Sequence, residues 1–76
     1  MEEANRDFFI RLKEKFPDLS EKEKRLAAYI RLNLSTKDVA SLLNIAPKSV
    51  EINRYRLRKK LGIDPGINLT EFILEI

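Results

Sequence analysis

Apolar residues recur along this chain with a helical period. Over residues 3–16, Phe8, Phe9, Leu12 and Phe16 stand three or four positions apart with polar residues between them, which predicts an amphipathic helix with those four in the core. Pro17 ends it, because the residue before a proline is pushed out of the helical region. A second helix opens at "LSEKE": Ser20 is a good N-cap, and Glu23 three residues on completes a capping box. Leu26, Ala27, Ile30 and Leu34 form its inward stripe. "STKD" repeats the signal, with Ser35 as cap and Asp38 as the box acid of a short third helix. Val39, Ala40, Leu42 and Leu43 are its apolar positions. Asn44 follows, a residue that tolerates the left-handed conformation. Pro47 suits the first turn of a fourth helix, which runs to about Leu61 and stops at Gly62. "DPG" over 64–66 is a turn. Asn68 with Glu71 opens a last short helix carrying Leu69, Phe72, Ile73 and Ile76. The pattern predicts five helices and no strand, an all-α fold.

Composition agrees. Seventy-six residues make one small domain, and two glycines and three prolines leave little room for long loops. There is no cysteine and no histidine, so disulfides, cysteine-ligated metals and the commonest general base and metal ligand are all missing. No metal site, no cofactor and no enzymatic activity are expected. No apolar run approaches the roughly 20 residues that span a bilayer. The acidic start "MEEANRD" does not look like a signal peptide. A cytoplasmic protein is therefore expected, with Glu2 and Glu3 serving solubility alone.

The net charge of +3 is small, but its distribution is uneven. Residues 47–61 hold six of the fifteen basic residues and one of the twelve acids, Glu51. At 100° per residue, Val50, Leu57 and Leu61 fall on one stripe of that helix. Lys48, Ile52, Tyr55 and Lys59 fall opposite, with Glu51 and Arg56 at the edges. A solvated face has no need of Ile52 or Tyr55. A DNA major groove does: it admits a helix, offers thymine methyls to apolar groups and is walled by phosphates. The third helix sits one tight turn upstream, with a small residue at Ala40 and with Leu43 and Ile45 bracketing Asn44. That arrangement suits a helix-turn-helix.

The residues from Leu19 onward resemble a known family, the LuxR/GerE-type helix-turn-helix. The resemblance rests on Leu19-Ser20 with Glu23, Lys37-Asp38-Val39-Ala40, Leu43-Asn44-Ile45-Ala46, Ser49-Val50 and Lys60-Leu61. "IRLNLSTKDVA" and "RYRLRKKLG" are similar to the C-terminal output domain of large Bacteroidetes sensory regulators, whose upstream segment resembles "FFIRLKEKFPDL". The resemblance implies a four-helix unit over 19–76. One N-terminal helix over 1–18 would then be the end of an upstream connector. It further implies that the fourth helix reads double-stranded DNA. Glu51, Ile52 and Tyr55 would face the bases. Lys48, Ser49, Arg56 and Lys59 would meet phosphates, with Lys37 at the start of the third helix. Leu69, Phe72 and Ile73 of the last helix would pair two copies as a homodimer. Three departures stand out: Ala46 where Ser is usual, Glu51 where a basic residue is common, and Asn53 for a frequent His.

Some assignments stay open at this level. Glu23 reads as a cap and an ion-pair partner for Lys60. Arg54 and Arg58 lie nearer the inward stripe and either brace a neighbouring helix or touch DNA. A sigma-factor-like promoter-binding unit and a basic protein-interaction module are the competing functions. No receiver or sensor segment is recognisable, so upstream sensor domains in a longer regulator are expected.

Overall fold

The structure is a computed structural model that describes the backbone of residues 3–76 and the side chains from Arg6 onward. The solubility role expected of Glu2 and Glu3 lies outside those side chains. Among the described residues five helices follow one another: α1 (Glu3–Lys15), α2 (Glu21–Arg31), α3 (Thr36–Leu43), α4 (Pro47–Leu61) and α5 (Leu69–Leu74). No strand occurs among the described residues.

The helix starts follow local chemistry. Ser20 is extended, and its Oγ accepts from the Glu23 N–H at 3.1 Å while Glu23 Oε1 accepts from the Ser20 N–H at 2.8 Å. This closes the capping box in both directions. At Ser35 and Asn68 only the outer half forms: Ser35 Oγ accepts from the Asp38 N–H and Asn68 Oδ1 from the Glu71 N–H. Asp38 is one methylene shorter than the glutamate of a full box. α4 starts differently, with Pro47 in its first turn and Ala46, which has no side chain to offer as a cap.

Three helices also end alike. Asn33, Asn44 and Gly62 take left-handed φ values of 60°, 57° and 70°. Beyond each, an apolar residue donates its N–H five positions back: Leu34 to Tyr29, Ile45 to Ala40 and Ile63 to Arg58. This is the Schellman arrangement, which satisfies carbonyls the helix would leave unpaired. Leu34, Ile45 and Ile63 then pack against the core.

α2 is the hub, in contact with α1, α4 and α5, while α3 packs on α4. The buried cluster takes Phe8 and Leu12 from α1, Leu26, Ala27 and Ile30 from α2, Val39 and Ala40 from α3, Val50, Leu57 and Leu61 from α4, and Leu69 and Ile73 from α5. Each large member contributes roughly 1.5–3 kcal/mol by leaving water. One core therefore crosses the boundary expected near residue 18. Two further contacts fasten α1: Arg11 Nε donates to the Ile76 carbonyl at 2.7 Å, and the Arg31 guanidinium lies 5.0 Å from the Phe8 ring centroid.

Two apolar expectations need correction. Leu42 is 56% exposed, because the inward stripe of α3 runs through Val39, Ala40 and Leu43 and position 42 lies about 110° off it. Phe9 is only half-buried and faces a groove between α1 and α2.

Candidate nucleic-acid interface

The short α3, the left-handed turn at Asn44 and the long α4 form a helix-turn-helix. Ala40 is 4% exposed where α3 packs on α4, and its small side chain permits the close approach. Val50 and Leu57 are fully buried and Leu61 nearly so, so α4 is gripped along one stripe. The opposite side is free. Lys48, Ile52, Tyr55, Arg56 and Lys59 are exposed, Ile52 by 46% and Tyr55 by 60%. Lys59 Nζ sits 5.1 Å from the Tyr55 ring centroid, a cation–π contact that holds both groups on the outer face. Ser49 is half-buried at one edge, and Lys37 is exposed in the first turn of α3. The structure thus leaves the α4 candidates on the side of that helix away from its buried stripe, with Lys37 exposed at the start of α3.

Two residues on this surface were not evident from the sequence. The Thr36 hydroxyl donates to Glu51 Oε2 at 2.9 Å, tying the one carboxylate of α4 to the start of α3. Glu51 stays exposed but is held in orientation. Lys22 of α2 lines a shallow depression with Ile45, Ser49, Ile52, Asn53 and Arg56, placing another ammonium beside the Ser49 edge. Thr36 and Glu51 are fifteen positions apart, and Lys22 lies on a different helix, so no spacing rule joins them.

The remaining basic residues of α4 are occupied to different degrees. Lys60 Nζ donates to Glu23 Oε1 at 2.9 Å, the pairing the sequence suggests, and to the Asp18 carbonyl at 3.4 Å. Burial pushes the Glu23 carboxyl up, but the hydrogen bonds from Lys60 and Ser20 outweigh it and leave the group below its ordinary value. Arg54 and Arg58 are half-buried, and Arg58 Nη1 reaches the Asp64 carbonyl at 3.4 Å.

The proposed dimer residues are placed otherwise. Leu69 is 4% exposed and Ile73 0%, both within this chain's own core, and Phe72 is half-buried with its ring 6.3 Å from that of Phe16. α5 turns its main apolar stripe inward because α2 lies beneath it. Leu69 and Ile73 therefore offer no surface to a second copy.

Comparison with known proteins agrees with this geometry. Residues 17–73 match the family model described as bacterial regulatory proteins, luxR family. The chain is 32% identical over 59 residues to the response regulator UvrY of Escherichia coli strain K12, a match covering 78% of this chain and 27% of that protein. UvrY of Shigella flexneri matches to the same degree. The transcriptional regulatory protein UhpA of Escherichia coli strain K12 is 30% identical over 51 residues, covering 67% of this chain and 26% of that protein. No solved structure matches. The chain belongs to the luxR family and carries its helix-turn-helix DNA-binding domain over residues 17–73. It spans about a quarter of the length of the curated relatives it matches.

Proposed function

We propose that this domain is the output end of a transcriptional regulator and that α4 lies in the major groove of double-stranded DNA. The observation that carries the reading is the outer face of α4, where exposed Ile52 and Tyr55 stand between Lys48, Arg56 and Lys59. Apolar groups there suit thymine methyls, and the cations suit the phosphate walls. In this arrangement Lys48, Ser49, Arg56 and Lys59 anchor the backbone, with Lys37 at the start of α3. Ile52, Tyr55 and Glu51 reach base edges. A carboxylate held by Thr36 accepts from a cytosine amino group, so Glu51 selects for cytosine where a basic residue would select guanine.

The four cations among these contacts, Lys37, Lys48, Arg56 and Lys59, give a log–log salt slope of roughly −3.6. One copy binds weakly, and two copies on half-sites about 34 Å apart bind well. Two of these relatives are response regulators by name, which supports sensor domains upstream and α1 as the end of a connector to them. A DNA target places the protein in the bacterial cytoplasm, and no described helix is long and apolar enough to cross a membrane. No catalytic role is proposed.

The test is selection from random duplexes, read at several salt concentrations. A defined motif is expected, weakened by Ile52→Ala and Tyr55→Ala. A flat sequence profile overturns specific readout. Unchanged affinity in Tyr55→Ala and Lys59→Ala overturns the assignment of α4.

A further inference from the structure

A helix seated in a major groove meets two phosphate walls. The groove is about 12 Å wide and a helix with its side chains about 10–12 Å across, so both flanks of the helix come close to a backbone strand. On α4 one flank carries Ser49 and Arg56, next to Lys22. The other flank carries Glu51, Arg54 and Arg58, since positions 51, 54 and 58 lie within about 60° of one another. Glu51, at the edge of that flank, is given to the bases above, so Arg54 and Arg58 are the groups left there to meet phosphates.

We infer that the cleft between α4 and the start of α5 is a second phosphate-binding site, in which Arg54 and Arg58 hold the DNA strand opposite the one met by Ser49 and Arg56. The inference rests on the docking of α4 proposed above. The cleft has a volume of about 280 Å³ and is lined by Arg54, Arg58, Tyr55, Glu51, Asn68 and Thr70 among others. It opens directly beside Tyr55, so it continues the outer face of α4. Among the described residues the only ion pairs are Lys24–Glu21 and Lys60–Glu23, so neither guanidinium is spent on a carboxylate. The one hydrogen bond, from Arg58 to the Asp64 carbonyl, is long and leaves most donors of that fork free. Both arginines are half-buried, as suits a long side chain that can pack its stem while its charged head stays in water. A planar fork binds two phosphate oxygens at once. Thr36 engages one oxygen of Glu51 and ties that carboxylate to the start of α3.

The experiment uses the whole chain and compares Arg54→Gln, Arg58→Gln and the double variant with the parent. Affinity for a selected duplex and for a scrambled one is measured across salt concentrations. The expected result is a slope shallower by about 0.9 for each arginine lost, the same on both duplexes, because phosphates carry no sequence information. Arg54→Lys with Arg58→Lys restores the slope, since the charge is kept. A double glutamine variant that loses affinity or thermal stability with its slope unchanged reduces both residues to braces and overturns the inference. So does a lysine pair whose slope stays as shallow as that of the glutamine pair. Arg56→Gln and Lys59→Gln run in the same titration. If they flatten the slope and the cleft variants do not, only the cleft fails; if the parent itself shows no salt-dependent binding, the docking of α4 falls and the cleft with it.

Discussion

α2 and α4 are both rich in basic residues, and, Lys22 at the Ser49 edge apart, they use them differently. On α2, Lys24 pairs with Glu21 at 2.9 Å, Arg31 lies over Phe8, and Glu23 closes the cap on Ser20. On α4, Lys60 alone is in an ion pair among the described residues, and the outer face carries Lys48, Arg56 and Lys59 around exposed Ile52 and Tyr55. Counting lysines and arginines does not separate a structural helix from a binding one. Pairing does, together with apolar groups that burial leaves outside. Charge that already has a partner has less left to give to DNA.

The first way to break this comparison is to attack the grip on α4 rather than its outer face. Leu57→Ala removes a fully buried side chain, and a loss of about 2–5 kcal/mol is expected in denaturant unfolding. That is a large share of the stability of so small a domain. Ile52→Ala on the same helix is expected to stay within about 0.5 kcal/mol. The second test separates the two kinds of charge. Arg56→Gln with Lys59→Gln is expected to weaken duplex binding about a hundredfold and to flatten the salt slope by about 1.8. Lys24→Gln on α2, which removes the ammonium paired with Glu21, is expected to leave the slope unchanged in the same titrations.

A smaller effect tests the entry of α4. Ala46 already has the extended backbone of an N-cap but no capping oxygen. Ala46→Ser is expected to stabilise the domain by about 1 kcal/mol in thermal unfolding. The smallest concerns Lys60, the α4 cation that behaves like those of α2. Because the folded Glu23 carboxyl titrates below its ordinary value of 4.5, its contribution is complete above that pH. It is lost as pH falls through the lower folded value. An exposed pair of this kind is worth about 0.2–1 kcal/mol. Stability measured from neutral pH down to the acid range is expected to fall by that much more in the parent than in Glu23→Gln, whose side chain does not titrate.

What could be read from the sequence was what is decided within a few residues. Ser20, Ser35 and Asn68 announce helix starts because a cap acts on the next turn, and Asn44 and Gly62 announce stops because few residues accept a left-handed φ. The stripe of Val50, Leu57 and Leu61 follows from periodicity. Leu69 and Ile73 show where that logic ends. An apolar stripe says that something covers it, and here the cover is α2 of the same chain rather than a second copy. The Thr36–Glu51 bond depends on how α3 crosses α4, which no local pattern encodes. Lys22 joins the Ser49 edge for the same reason. Leu42 departs for a simpler reason, being hydrophobic in type but off the inward stripe.

The matching ends of α2, α3 and α4 bear on how fast the chain finds its shape. Each reversal is closed by bonds spanning six residues, and the link from α2 to α3 and that from α3 to α4 are only a few residues long. Much of the native structure is therefore made between near neighbours in sequence, and loop closure adds little to the barrier. Helical domains of this kind fold within microseconds to milliseconds. A molecule that opens is expected to re-form long before a misfolded alternative can compete.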